Sequence, residues 1–408
     1  MKQGLNSNRS YRSLLTIIIL IYVAFGLVTS VIGVIIDKFQ VTYNVSLQVA
    51  ALLPFGFYLS YGLFSIPSGI QMDRFGAKSI LVTGLILMTA GCLLLYLSSN
   101  YLLVIAMIFM TGIGVAVIQT AGNPFIRELD RPERYTSNLT TIIGINGLGC
   151  ALSPLLVPVL QVKGMPWNTV YLVFGIFSLI LLVLLAVSGV PRIRLLEEDR
   201  INVGALSILL KDKIIITYTL AIFFYVGAEV GTSSYIIIFM DRVHGYGAGI
   251  SLWKEGRFMN LVFPSASALV VGLFWLAQAI GRLVAGQVVK RISPRPVFIF
   301  HSAATCLSLL AAIFMPAGPA LAAFVITGYF TSVLFTSIFS ATIQSFDRYH
   351  GAISGILCTA VAGGAVIGFL VGAAGNSLGM RPAMLINFIA FAYVFAVSVW
   401  GKGKLEIS

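Results

Sequence analysis

Twelve apolar stretches, each near the roughly 20 residues a helix needs to cross a hydrocarbon layer, follow one another along the 408 residues of this chain. They lie near 14–36, 46–70, 78–98, 101–125, 136–160, 168–190, 214–240, 261–289, 295–315, 318–343, 351–375 and 381–401, separated by charge, Gly/Pro or Asn/Ser punctuation. With 58% hydrophobic and only 10% charged residues, the composition lies outside that of soluble globular domains. The chain reads as an all-α integral membrane protein of twelve transmembrane helices, with the lipid bilayer as its surroundings.

Charge then orients the spans. The net charge of +12 does not form a phosphate-binding patch, because the basic residues fall in alternate loops, so nucleic acid is not expected as a partner. With the N-terminus cytoplasmic, 20 of the 26 Lys and Arg lie inside, leaving only Lys38, Lys163, Arg242, Lys254, Arg257 and Arg381 outside. Both termini are therefore expected in the cytoplasm and the protein in the cell (inner) membrane. The first apolar run is about twice a secretory h-region and lacks a cleavage site, so it is expected to stay as the first span. Cys92, Cys150, Cys306 and Cys358 all lie in apolar segments without metal-ligand spacing, and no cofactor motif is visible, so neither metal nor cofactor is expected and the chain is not read as an enzyme.

The longest charged interruption divides six spans from six, giving an N-terminal bundle 1–190, a cytoplasmic linker 191–213, amphipathic over 201–210, and a C-terminal bundle 214–408. The halves repeat. Gly69-Ile-Gln-Met-Asp-Arg-Phe-Gly-Ala-Lys78 closes span two as Gly286 to Arg295 closes span eight, the charged tail Glu128 to Arg134 answers Ser345 to Tyr349, and glycine-rich runs follow in spans five and eleven. Two pseudo-symmetric six-helix bundles with a solute site between them, near the midplane, is the architecture of an alternating-access transporter.

Among the fourteen acidic residues Glu229 is the one deep within a span. A carboxylate there costs about 3 kcal/mol on insertion scales, so it should face the bundle interior or a wet cavity. Tyr225, Thr232 and Ser233 lie a helical turn away on its face, and Gly227 and Gly231 permit close helix approach or a local break. Two roles are open: proton coupling or direct solute contact, and a structural carboxyl bonded across helices to Gln119 or a span-ten hydroxyl. The other polar residues within spans are neutral, among them Gln48, Gln119, Asn123, Asn138, Thr140, Asn146, Gln278, Thr336, Ser337 and Gln344, which suits an uncharged hydrogen-bonding solute. Arg282 is read as snorkelling to the cytoplasmic end of its span, His301 as a packed histidine, and Asn123-Pro124 as a helix break. Aromatic residues including Tyr22, Tyr58, Tyr61 and Trp275 could stack on a sugar ring or pack as belts.

Gly69-x-x-x-Asp73-Arg74-x-Gly76-x-Lys78 matches the cytoplasmic loop motif of the major facilitator superfamily, which the whole chain resembles, with Ala77 departing at one basic position. The resemblance implies gating by Gly69, Asp73, Arg74, Gly76 and Lys78. Gln119-Thr-Ala-Gly-Asn-Pro124, Tyr225-Val-Gly-Ala-Glu229, Gly281-Arg-Leu-Val-Ala-Gly286 and Phe335-Thr-Ser-Ile-Phe-Ser340 are similar to the fucose/galactose/glucose:proton symporter branch. That branch implies spans one, four, seven and ten around a central cavity. Span one lacks the branch's acid, span four has Gln119 in place of one, and Ile143 stands where span five would carry Gln, with Asn146 retained. The expected function is proton-coupled transport of a small neutral polar solute, a sugar on the resemblance, by a monomer. Solute contact is assigned to Gln119, Asn123, Asn146, Tyr225, Glu229, Thr232, Ser233, Thr336 and Ser337, and proton coupling to Glu229. An uncoupled facilitator or drug or metabolite exporter is the rival reading, and a non-transporting solute receptor is the alternative of another class.

Overall fold

The computed structural model describes residues 8–129, 135–188, 207–245, 266–289, 292–346 and 348–401, and among them every regular element is helical. In chain order they are α1 (Asn8–Tyr43), α2 (Leu52–Phe75, preceded by a single turn at Leu47–Ala50), α3 (Ala77–Leu97), α4 (Tyr101–Leu129), α5 (Tyr135–Val162) and α6 (Thr169–Val187). The second six are α7 (Lys213–His244), α8 (Ala266–Val288), α9 (Pro294–Phe314), α10 in two pieces (α10a, Ala317–Thr331; α10b, Leu334–Gln344), α11 in two pieces (α11a, His350–Thr359; α11b, Gly363–Ser377) and α12 (Met380–Trp400). Helices are what lipid demands, since each satisfies its own backbone N–H and C=O groups where no water can. Among the described residues, eleven of the twelve are long and apolar enough to cross a membrane, and α5 forms a continuous helix of 28 residues beside them.

The internal repeat appears as a repeated packing scheme. In the first half α1 packs on α5, α2 on α4, and α3 on α4 and α6; in the second, α7 packs on α11b, α8 on α10a, and α9 on α10a and α12. The halves meet along two seams, α5 against α8 and α2 against α11. Of the expected linker, residues 191–206 lie outside the described residues, including most of the amphipathic stretch, as do 130–134 of the charged tail after α4. Asp212 ends the linker as the N-cap of α7, accepting from the backbone N–H of Ile214 (2.8 Å) and Ile215 (3.1 Å).

Two local expectations change, and one choice left open is decided. Asn123-Pro124 does not break its helix: α4 runs on to Leu129. Pro124 lacks the N–H that would bond the carbonyl of Thr120, and Ser354 Oγ from α11a donates to that carbonyl instead, at 3.1 Å. Gly227 and Gly231 serve close approach rather than a break: they sit in continuous helix and allow α11 (Gly363, Ile367) and α12 (Asn387) to come near. Conversely α10, expected to be continuous, stops at Thr331 and resumes at Leu334. There the Thr331 hydroxyl bonds back to Gly328 O (2.8 Å), and the Ser332 N–H reaches Tyr329 O (3.3 Å), a tighter turn than the α-helical one.

Candidate solute-binding site

Tyr225 to Ser233 is buried at every position, because α7 is surrounded in mid-length by α8, α10, α11 and α12 as well as by the first half. A buried carboxylate in such surroundings must be met by donors, and Glu229 Oε1 is met by three. Tyr225 OH and Gln278 Nε2 donate to it in close hydrogen bonds, and Arg282 Nη2 lies 3.5 Å away. Arg282 also donates from Nε to Ser332 O (3.2 Å) and is only 4% exposed. It does not snorkel: it stands six residues, about 9 Å of helix, before the end of α8 and turns inward to the carboxylate. Gln278 and Arg282, four residues apart, share one face of α8, and that spacing was the signal in the sequence.

Between the halves lies a cavity of about 70 Å³, lined among others by Gln119, Asn146, Tyr225, Glu229, Trp275 and Arg282. A single water needs roughly 10–15 Å³, so the space holds several waters or a small polar group. Tyr58, Tyr61, Phe25 and Phe335 add aromatic walls. Gln119 presents its amide with no hydrogen-bond partner among the described residues. Opposite the charged cluster the first half supplies a neutral network: Tyr22 OH donates to Asn123 Oδ1 (2.7 Å) and Asn146 Nδ2 donates to Tyr22 O (2.8 Å). A smaller cavity, sharing Thr29, Tyr58 and Trp275 with the first, continues toward Gly33, Ser233 and Ser234.

The Major Facilitator Superfamily model matches residues 18–268, more than half of the chain. The chain belongs to this superfamily. It is 25% identical to the glucose/galactose transporter of Brucella abortus biovar 1 (strain 9-941), over 95% of this chain and 94% of that protein. It is 23% identical to the L-fucose-proton symporter of Escherichia coli (strain K12), over 95% and 93%. A crystal structure of the E. coli fucose:proton symporter superposes with a TM-score of 0.75 over 96% of this chain and 99% of that one, at 20% identity, which establishes the shared fold. The protein is thus a multi-pass membrane transporter of the facilitator fold rather than an enzyme.

The expected solute residues divide in this structure. Gln119, Asn146, Tyr225 and Glu229 come together on the main cavity, and Ser233 on the smaller one. Asn123 is fully buried and lines neither cavity; Tyr22, which also lines neither, links it to Asn146 on the main one. Thr232 is buried without a hydroxyl partner, Thr336 Oγ1 bonds back to Val333 O (3.1 Å), and Ser337 packs within α10b; none of the three lines either cavity. On a helix covered from all sides, positions one turn apart no longer share one environment. Glu229 finds its amide partner in Gln278 rather than Gln119.

The loop motif also divides. Gly69 packs so tightly on α11a that an added Cβ would lie 2.6 Å from Gly351 O, so the seam at this end needs glycine there. Gly76 takes φ 84°, turning the chain from α2 into α3 at low steric cost, and its N–H bonds Met72 O (2.8 Å). Lys78 Nζ donates to the carbonyls of Ala186 (3.2 Å) and Ser188, tying α3 to the end of α6 within its own half. Arg74 is exposed, and the side chain of Asp73 lies outside the described residues. Beyond the site, His301 packs against Tyr329 with Nδ1 3.1 Å from Phe330 O, the packed histidine expected.

Proposed function

We propose that the protein moves a small neutral polar solute of the sugar class by proton-coupled alternating access, with Glu229 as the proton carrier. The observation that carries this reading is the facing of a buried carboxyl and an unpartnered amide, Glu229 and Gln119, across one cavity between the two halves. A neutral hydrogen-bonding solute suits the amides of Gln119 and Asn146, and the aromatic walls suit the apolar face of a sugar ring. The relatives named as glucose/galactose transporter and L-fucose-proton symporter point to the same solute class and coupling ion. Residues 1–190 and 214–408 are read as the two rocking bundles joined by 191–213, with both termini cytoplasmic in the inner membrane and the protein acting as a monomer. Gly69, Asp73, Arg74, Gly76 and Lys78 are read as the gating loop at the cytoplasmic end of the α2–α11 seam.

The test is uptake of labelled D-glucose, D-galactose and L-fucose into proteoliposomes with an imposed pH gradient. Accumulation of one of them that collapses with the gradient is the expected result. Glu229→Gln should abolish accumulation while leaving sugar counterflow, which needs no net proton movement. Accumulation undiminished in Glu229→Gln removes Glu229 as the carrier. One observation favours an uncoupled facilitator instead: a carboxylate already paired with Arg282 can stay charged throughout. Gradient-independent uptake in the native protein would decide for it.

A further inference from the structure

Each of the three groups that meet Glu229 Oε1 makes a second bond to the same two residues. Tyr225 OH reaches Thr331 O (3.2 Å), Gln278 Nε2 reaches Thr331 Oγ1 (3.2 Å), and Arg282 Nε donates to Ser332 O (3.2 Å). Thr331 and Ser332 are the break in α10. The carboxylate is thus wired to one discontinuity in one helix through an alcohol, an amide and a guanidinium. A helix end at such a break presents carbonyls carrying the negative end of the helix dipole, where a cation is favoured.

We propose that Arg282, Gln278 and Tyr225 are positioning residues that convert protonation of Glu229 into movement of α10b relative to α10a. This rests on the reading of Glu229 as the proton carrier. The proton comes from water in the cavity and bonds to Oε2, the oxygen without a partner among the described residues. Ionised, the carboxylate can hold three donors on Oε1; protonated at Oε2, it leaves Oε1 a neutral carbonyl oxygen with two lone pairs and no charge to hold the guanidinium. Arg282 then transfers toward the Ser332 carbonyl it already touches at the end of α10a, and the bonds at Thr331 and Ser332 rearrange with it. The titratable and charged groups facing Glu229 are Tyr225 on its own helix, Arg282 from α8, Tyr58 from α2 and Cys150 from α5. The other neighbours on α7 at this level are Thr331 and Phe335 from α10, Gly363 and Ile367 from α11, and Asn387 and Phe391 from α12, none of which titrates.

The test needs no solute. Amide hydrogen exchange of the full purified chain in detergent is followed over residues 326–340 as a function of pH and expressed as protection factors, which remove the intrinsic pH dependence of exchange. The native protein should lose protection at the break about tenfold as pH falls, the effect of losing one charge-assisted hydrogen bond. Glu229→Gln should show the low-protection state at every pH, and Arg282→Lys should retain a pH response because the cation remains. The double variant Glu229→Gln/Arg282→Gln, which leaves no unpaired charge, reads the same way as Glu229→Gln if that single variant does not fold. Protection flat with pH in the native protein, or a pH response surviving in the variants without the carboxyl, overturns the proposal. Exchange that responds to pH in a protein transporting none of the three sugars would sink the solute class and keep this coupling; sugar accumulation with a flat exchange profile would do the reverse.

Discussion

The two halves repeat one packing scheme and fill it with different chemistry. On the first half's side of the cavity, Tyr22, Asn123 and Asn146 form a neutral network and Gln119 has no partner among the described residues; on the second half's side, Glu229 and Arg282 form an ion pair held by Tyr225, Gln278, Thr331 and Ser332. Losing one member of a neutral network costs about the net value of a hydrogen bond, roughly 1 kcal/mol, whereas losing one member of a buried ion pair leaves a charge without water or partner, roughly 3–5 kcal/mol. The fold thus separates recognition, suited to groups that can exchange partners cheaply, from charge handling, which needs groups that cannot.

The sharpest way to break this contrast is Arg282→Gln. It leaves Glu229 buried and uncompensated and should destabilise the protein by about 3–5 kcal/mol, read as a fall in the thermal unfolding midpoint of purified protein. Adding Glu229→Gln should restore most of the loss, and a double variant no more stable than the single one would show that the pair is not what Arg282 contributes. Next in size is Gln119→Ala. Its amide has no partner to lose among the described residues, so stability should hold while the half-saturating sugar concentration in counterflow rises about tenfold, the value of one hydrogen bond to the solute. A comparable fall in stability would mean that Gln119 is structural. Smallest is Tyr22→Phe, which deletes the bond to Asn123 and should cost about 1 kcal/mol in stability with only a modest change in transport. An effect as large as that of Arg282→Gln would erase the distinction between the halves.

Much of the fold could be read directly from the chain. The helical spans and the repeat of their order rest on length, charge and composition, which lipid makes decisive because a span must be apolar and helical wherever it goes. Glu229 was equally legible, since a carboxylate amid apolar residues has few places to be. Its partners were not. Arg282 read as an end-of-helix residue because sequence gives depth along a helix only to within a turn or two, and a long side chain can point either way. Thr336 and Ser337 were placed at the cavity by span number, but Thr336 bonds back to Val333 O and Ser337 is buried within α10b, and neither lines it.

By itself the sequence determined a membrane transporter of two repeated halves with one deep acid, because hydropathy and charge asymmetry are local properties that survive without knowledge of neighbours. Only the tertiary structure decided that the acid is not alone. The pairing with Arg282, the three shared bonds to the α10 break and the rescue of Thr120 O by Ser354 all join residues at least 49 positions apart. Such pairings depend on which faces of α7, α8 and α10 turn toward each other, and that is set by the packing of whole helices rather than by any segment's own pattern.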